Sequence, residues 1–171
     1  VHQPETTQDI ERLISSANAN WRPKEWLSFR GVAGLDYISR LDAQICRNQN
    51  CPNNGDNRLG FKRDNRSNFF IYTLDAAGSA TRRFGAGIES RTTGGVQYYR
   101  NLFDRNGTFG RTLAPGATTV TGAGVKDADE ATTESRTLGG YLEEHLSFND
   151  KLFITGAVRS DRNSAFGADF K

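Results

Sequence analysis

Two groups of ionisable side chains have a spacing that suits chemistry. Glu143 and His145 stand two positions apart, and on a β-strand this places them on one face, about 7 Å apart. Such a pair suits general acid–base catalysis, but we favour the interpretation that both side chains belong to a solvated polar wall. Asp127, Asp129 and Glu130 offer oxygen ligands for Ca²⁺, although a solvated loop is the better interpretation. We predict no enzyme activity, no cofactor and no metal site.

Two cysteines are the other reactive side chains. Cys46 and Cys51 lie close together in a polar segment. Zinc requires about four ligands, and both histidines are distant in sequence. We interpret the pair as a loop-tip disulfide formed in an oxidising compartment, with two free thiols as the alternative. The glycine-rich residues 122–124 lack the Lys and Ser/Thr of a phosphate-binding loop, so we predict a flexible loop there.

Composition excludes further classes of function. The net charge of +2 comes from 22 basic and 20 acidic residues that are interspersed along the chain, which argues against the concentrated basic surface of a nucleic-acid-binding protein. Apolar runs are a handful of residues long, whereas a membrane-spanning helix needs about 20. Spanning strands need only about 9–11 residues. Residues 1–4 do not resemble a signal peptide, and we expect both ends of this sequence to be cuts in a longer protein.

Alternation of apolar and polar residues is the dominant pattern, and it predicts strands with two different faces. It is clearest between Trp26 and Arg40. It recurs in five other segments, so we predict about six strands. Glu144 breaks the pattern because it falls on the apolar face of the fifth strand. We place it near a membrane rim, where a carboxylate costs little.

The connections between these strands alternate in length. Short ones are predicted near residues 22–25, 82–86 and 149–150, and long ones at about 43–64 and 104–133. Tight periplasmic turns and long extracellular loops alternate in this way in outer-membrane barrels. We therefore predict an all-β fold: a segment of about six strands from an antiparallel up-and-down transmembrane β-barrel, forming an open curved sheet in isolation. A soluble β-sandwich is the alternative architecture.

The alternation also assigns the two faces. Aromatic residues near the strand ends are expected in two girdles at the membrane boundaries. The girdle toward the short turns is expected to contain Trp21, Trp26, Phe84, Phe148 and Phe153, and the outer girdle toward the long loops Tyr37, Tyr98, Tyr99 and Phe103. The polar face is expected to line the lumen, with Arg30, Asp36, Asp75, Arg91, Gln97 and Glu143. The apolar face is expected to meet lipid, with Leu27, Phe29, Leu35, Phe70, Tyr72, Leu74, Val96, Leu142, Ile154 and Val158.

Two segments resemble hairpins of a known family. In the last hairpin, Gly140-Tyr141 and Glu143-Glu144 precede an Asn149-Asp150 turn, and the next strand ends in Arg159-Ser160-Asp161 and Ser164-Ala165-Phe166-Gly167. Residues 19–31 combine a strand, a Pro turn and a Trp-Leu start in a second hairpin. Both resemble barrel hairpins of SusC/RagA-like TonB-dependent outer-membrane receptors. The resemblance covers about residues 9–171.

This resemblance implies a function and a set of partners. It implies that residues 1–171 are part of a receptor barrel whose signal peptide, TonB-contact box and plug domain are absent from the sequence. Such receptors sit in the bacterial outer membrane and import glycans, peptides or other large nutrients. The implied partners are membrane lipid, the receptor's own plug domain, the TonB complex and a SusD-like surface lipoprotein, with no nucleic acid. The alternative function is a soluble or surface carbohydrate-binding module.

Overall fold

Six long strands make up most of the chain. The computed structural model describes residues 3–52, 58–85 and 87–166. Its strands are β1 (Glu5–Lys24), β2 (Leu27–Cys46), β3 (Phe61–Phe84), β4 (Ile88–Leu113), β5 (Ala123–Phe148) and β6 (Leu152–Asn163), with 3-10 turns at Val120–Gly122 and Ser164–Phe166. Within the described ranges, none of the helical turns has the length and apolar character needed to cross a membrane.

The strands pair in the order of the sequence. They form one sheet in the order β1-β2-β3-β4-β5-β6, and no crossover separates sequence neighbours. This confirms the prediction of six antiparallel strands in an open up-and-down sheet. A two-layer sandwich would need a second sheet packed on the first, and all six strands of the described residues belong to one sheet.

The β5–β6 hairpin shows how a short connection fixes the pairing register. Asn149 and Asp150 have φ angles of 51° and 55°, the left-handed values that both central residues of a type I′ turn adopt. Asn and Asp tolerate this conformation better than other residues with a side chain. The Lys151 amide donates to the Phe148 carbonyl oxygen at 3.0 Å, and Phe148 pairs with Leu152. The predicted 149–150 turn is therefore correct.

Other predicted boundaries are wrong by several residues. β2 continues to Cys46 and β3 begins at Phe61, so the long connection predicted at 43–64 shortens to 47–60. Most of the loop predicted at 104–133 is strand, because β4 reaches Leu113 and β5 begins at Ala123. Residues 122–124, predicted as a flexible loop, end a 3-10 turn and begin β5. The first short turn lies at residues 25–26, since residues 22–24 belong to β1.

The chain divides into two compact units. The first comprises Val1–Leu13, Tyr37–Phe70 and Leu102–Thr133, and the second comprises Ile14–Asp36, Ile71–Asn101 and Glu134–Lys171. The first unit has a small core in which Cys46, Cys51 and Phe61 are buried and Phe109 packs against them. In the second unit, large apolar side chains are exposed instead, and that unit is described first below.

Candidate functional site

One face of the second unit is apolar and open. Register pairs Leu142 with Val158 and Leu146 with Ile154, and Gly94 lies beneath Leu142. A shallow depression of about 510 Å³ brings Ala17, Ala19, Gly31, Ala33, Leu74, Val96 and Leu138 together on this face. The larger side chains are 50% to 66% exposed: Leu74, Val96, Leu138, Leu142, Ile154 and Val158. Five of the predicted lipid-facing residues of this unit, Leu74, Val96, Leu142, Ile154 and Val158, are thus exposed, whereas Leu27, Leu35 and Tyr72 are half-buried.

Polar groups border this apolar face toward the short turns. The Glu144 carboxylate accepts hydrogen bonds from Ser90 Oγ at 2.5 Å and from Thr92 Oγ1 at 2.6 Å. Both hydroxyls belong to β4, close to its first residue, Ile88. We call Ser90, Thr92 and Glu144 the turn-side rim. Glu144 therefore interrupts the apolar pattern at a place where it has two hydroxyl donors, and the Leu146–Ile154 pair continues the apolar face on its turn side.

A second polar group borders the same face toward the β4–β5 connection. Glu134 accepts from Arg136 Nε at 2.9 Å and Nη2 at 2.8 Å, and it also accepts from Arg100 Nε. The Arg100 guanidinium lies 5.5 Å from the centre of the Tyr72 ring, within the range of a cation–π contact. We call Arg100, Glu134 and Arg136 the loop-side rim.

The two rims bound a band of membrane dimensions. Thr92 and Arg100 are eight positions apart on β4, as are Glu144 and Arg136 on β5, which corresponds to about 27 Å along a strand. A strand tilt of about 35–45° reduces this to a height of roughly 19–22 Å. The apolar band of an outer-membrane barrel is about 25 Å tall. Only apolar residues occupy the same-face positions between the rims on these strands: Gly94, Val96, Tyr98, Leu138, Gly140 and Leu142.

The opposite face of this unit carries a connected polar network. Arg30 Nε lies 3.7 Å from Asp75 Oδ1, and Gln97 Nε2 donates to Asp75 Oδ2 at 2.7 Å. Arg159 Nη1 donates to Gln97 Oε1 at 2.6 Å and pairs with Asp161 through its Nε and Nη2, each at 2.8 Å. These side chains come from β2, β3, β4 and β6, so the network ties most of the sheet together on its polar face.

Tyr141 of β5 completes this network by lying over a glycine. A Cβ atom added at Gly95 would lie 2.5 Å from Tyr141 Cζ and 2.6 Å from its Oη, so the ring occupies the space that any other residue would need at position 95. The Tyr141 hydroxyl accepts from Arg30 Nη2 at 3.3 Å. Gly95 therefore permits the contact between β2 and β5.

Three of the six predicted lumen residues meet in one network. Arg30, Asp75 and Gln97 meet in the network, whereas Arg91 and Glu143 are exposed and lie outside it. Asp36 is half-buried on β2. Sequence reasoning did not assign Tyr141, Arg159 or Asp161 to this cluster. The sequence did contain a signal for Arg159 and Asp161, because opposite charges two positions apart on a strand share a face.

The acid–base pair considered from the sequence does not assemble. His145 Nδ1 lies 2.9 Å from Thr155 Oγ1, and its ring stacks on Phe153 at 5.9 Å between centroids. Glu143 is exposed. The histidine is therefore held by the neighbouring strand β6.

In the first unit, the acidic run has a different role from the one considered. Asp127 and Asp129 lie on β5, where Asp127 pairs with Arg111 at 3.1 Å and Asp129 pairs with Arg105. Thr132 donates to Asp104 at 2.8 Å on the same hairpin. The predicted solvated loop is thus a strand, stabilised by cross-strand ion pairs. Among the described residues, no three His, Cys, Asp or Glu side chains form a metal-binding group.

Aromatic residues in the first unit lie on both faces. Phe70 stacks on Tyr37 at 4.7 Å between centroids, whereas its neighbour Phe69 contacts Phe103 at 4.7 Å. Because successive residues of a strand point to opposite faces, Phe103 lies on the face opposite Phe70. The expectation that Phe103 joins an outer aromatic girdle with Tyr37 is therefore wrong.

A disulfide lies at the end of β2. Cys46 and Cys51 are bonded, with 5.6 Å between their Cα atoms, and they are 2% and 6% exposed. Phe61 packs against them and contacts Phe109 at 6.1 Å between centroids. The Arg63 guanidinium lies 4.7 Å from the centre of the Phe109 ring. The bond thus stands over a small aromatic cluster.

We predict that the disulfide forms in the protein on cells. A thiol reagent applied to denatured but unreduced protein should label neither cysteine, and the same sample after reduction should take up two labels, which mass spectrometry counts. Denaturation removes the protection that burial gives to a free thiol. Two labels without reductant would show free thiols and contradict the prediction.

Comparison with known proteins supports the architecture. No family model matches the chain, and no curated protein matches it. Among solved structures, the RagAB peptide transporter matches with a TM-score of 0.88 and 14% identity, covering 96% of this chain and 19% of that chain. The RagAB peptide importer in its 'open-open' state matches with a TM-score of 0.86 and 14% identity, covering 97% of this chain and 19% of that chain. The siderophore receptor PiuA from Acinetobacter baumannii matches with a TM-score of 0.54 and 11% identity, covering 91% of this chain and 26% of that chain.

These matches decide the fold. The chain has the fold of a β-barrel segment of these proteins. It spans about a fifth of the length of the RagAB chains that it matches. These three structures are named as a peptide transporter, a peptide importer and a siderophore receptor.

Proposed function

We propose that this chain is part of the barrel wall of an outer-membrane TonB-dependent receptor that imports large nutrients and is not an enzyme. The observation that carries the proposal is the apolar band of the second unit, which Glu144 interrupts toward the short turns and which Arg100 with Arg136 borders toward the β4–β5 connection. In an aqueous protein such a surface is rare, whereas a barrel wall needs it to contact lipid. The receptor fold supports the same conclusion.

The polar face then lines the lumen. Its network joins Arg30, Asp75, Gln97 and Arg159. The opposite charges in this network offset one another, so they need less water around them than isolated ions would. We propose that this wall contacts the receptor's own plug domain, which the TonB complex acts on. Two of the matching structures are named as a peptide transporter and a peptide importer. Peptides, with glycans as the alternative cargo, and a SusD-like lipoprotein partner are therefore part of the proposal.

Sidedness provides the test. We predict that a short epitope tag at Pro115–Gly116, in the β4–β5 connection, is detected by antibody on intact cells expressing the full-length receptor. A tag at Asn149–Asp150, in the β5–β6 turn, should be detected only after the outer membrane is permeabilised. The reason is that long connections of such barrels face the medium and short turns face the periplasm. Flow cytometry measures both.

Cell fractionation supplies the control. Both tagged receptors should be recovered in the outer-membrane fraction, which verifies that the tags do not prevent insertion. Equal antibody binding at the two positions on intact cells would contradict the proposed topology. Recovery of the untagged protein in the soluble extract would instead favour a carbohydrate-binding module.

A further inference from the structure

The loop-side rim of the apolar band carries a net positive charge, because it contains two arginines and one glutamate. The turn-side rim contains one carboxylate, Glu144, with two neutral hydroxyls, and the exposed Arg82 of β3 lies on the same face near that end. The net positive charge is therefore found at the loop-side end of the band.

A third arginine extends the positive rim. Arg162 of β6 is exposed, and its Cα pairs with that of Leu138 on β5. Arg136 lies two positions before Leu138 on the same face, so Arg162 and Arg136 are diagonal neighbours, about 7–8 Å apart. The Arg136 backbone amide also donates to Ser164 Oγ at 2.9 Å, which holds the two strands together at this level.

The guanidinium groups of this rim are fixed in position. Glu134 accepts from both Arg136 and Arg100, and the Tyr72 ring supports Arg100 at 5.5 Å. A guanidinium has five N–H donors, so one carboxylate leaves donors of both arginines able to reach a further acceptor. Arg136 remains 55% exposed. Fixed, partly exposed arginines beside an apolar surface suit an anion whose attached chains are apolar.

We propose that Arg100, Arg136 and Arg162 bind the phosphate group of an anionic membrane lipid, with its acyl chains on the apolar band below. The inference rests on the proposed function, which places the loop-side rim in the outer leaflet. Arginine binds phosphate through paired hydrogen bonds, and basic side chains at a membrane surface attract anionic headgroups. Leu138, two positions from Arg136 on the same face, provides the contact for the chains.

Lipid competition tests this site. The full-length receptor in detergent is mixed with equal amounts of lipid A carrying its phosphates and dephosphorylated lipid A, and native mass spectrometry measures the ratio bound. We expect the wild-type receptor to retain the phosphorylated form by about tenfold or more, since a charge-assisted hydrogen bond contributes that much. Arg100→Gln/Arg136→Gln/Arg162→Gln should bring the ratio near one. Arg136→Gln alone should lower it in part.

The controls separate the possible failures. Arg91→Gln changes an exposed arginine of the same unit on the opposite face, and it should keep the wild-type ratio. An unchanged ratio in the triple variant, or displacement of the lipid by inorganic phosphate alone, would overturn the lipid site while leaving a receptor that fractionates with the outer membrane. If the wild-type receptor is absent from the outer-membrane fraction, the proposed function fails as well.

Discussion

Leu74→Arg in the full-length receptor is expected to weaken folding into lipid by about 2–4 kcal/mol. Leu74 is 50% exposed and lies with Val96 in the apolar depression between the two rims. An arginine there would have to place its charge in hydrocarbon. Leu35→Arg is expected to be similarly costly, because Leu35 lies on the same face of β2 as Gly31 and Ala33. Urea-dependent folding into lipid vesicles measures the free energy.

The adjacent residue provides the control. Thr73 is exposed and lies on the polar face, where its Cβ faces Gly34, so Thr73→Arg should cost much less than Leu74→Arg. It is a better control than Gln97→Arg, because Gln97 accepts from Arg159 and donates to Asp75 and its replacement breaks that network. Equal penalties at 73 and 74 would show that the assignment of inside and outside, and the barrel wall with it, is wrong.

Gly95→Ala is the second substitution with a large expected effect. Its methyl group would lie 2.5 Å from the Tyr141 ring, so the ring must move and its hydrogen bond with Arg30 must lengthen or break. Overpacking of this kind costs about 1–3 kcal/mol. The measurement is again the free energy of unfolding in vesicles, with proteolysis of the folded receptor reporting any loosening of the polar face.

Gly94→Ala is the matched control, one residue away on the apolar face. A Cβ there meets Leu142 Cδ1 at 3.7 Å, which is an ordinary contact. Replacing a strand glycine also removes its entropic penalty, so the change should be neutral or stabilising by roughly 0.5–1 kcal/mol. If the two alanine variants had the same stability, the position of the Tyr141 ring would not require a glycine at position 95.

The sequence predicted the strands well where one face is apolar. Leu142, Leu146 and their neighbours alternate with polar residues, and the structure pairs them as a two-faced strand predicts. The prediction failed where both faces of a strand are polar. Residues 104–113 and 123–133 resemble loops in sequence because they contain few apolar residues. They form strands because Arg105 and Arg111 meet Asp129 and Asp127 on the neighbouring strand. Pairing between residues so far apart is not visible in local alternation.

The functional groups were predictable to a similar degree. Arg30, Asp75 and Gln97 were assigned to the polar face from alternation alone, and they meet there. Their joining by Arg159 depends on the lateral order of the strands, because that side chain reaches from β6 to β4. Likewise, Glu144 breaks the alternation of apolar and polar residues in the sequence. Its position is explained only by the neighbouring strand β4, which places the hydroxyls of Ser90 and Thr92 beside it.

Strict neighbour-to-neighbour pairing has a consequence for how this sheet assembles. Each strand bonds only to strands adjacent in sequence, so contact order is low for a β-protein, and the entropy lost on closing each hairpin is small. The β5–β6 hairpin needs only a short closure, and its left-handed Asn149 and Asp150 suit a tight turn, so it is expected to nucleate. In pulsed hydrogen exchange its amides should gain protection early, before those joining β2 to β3 across residues 47–60.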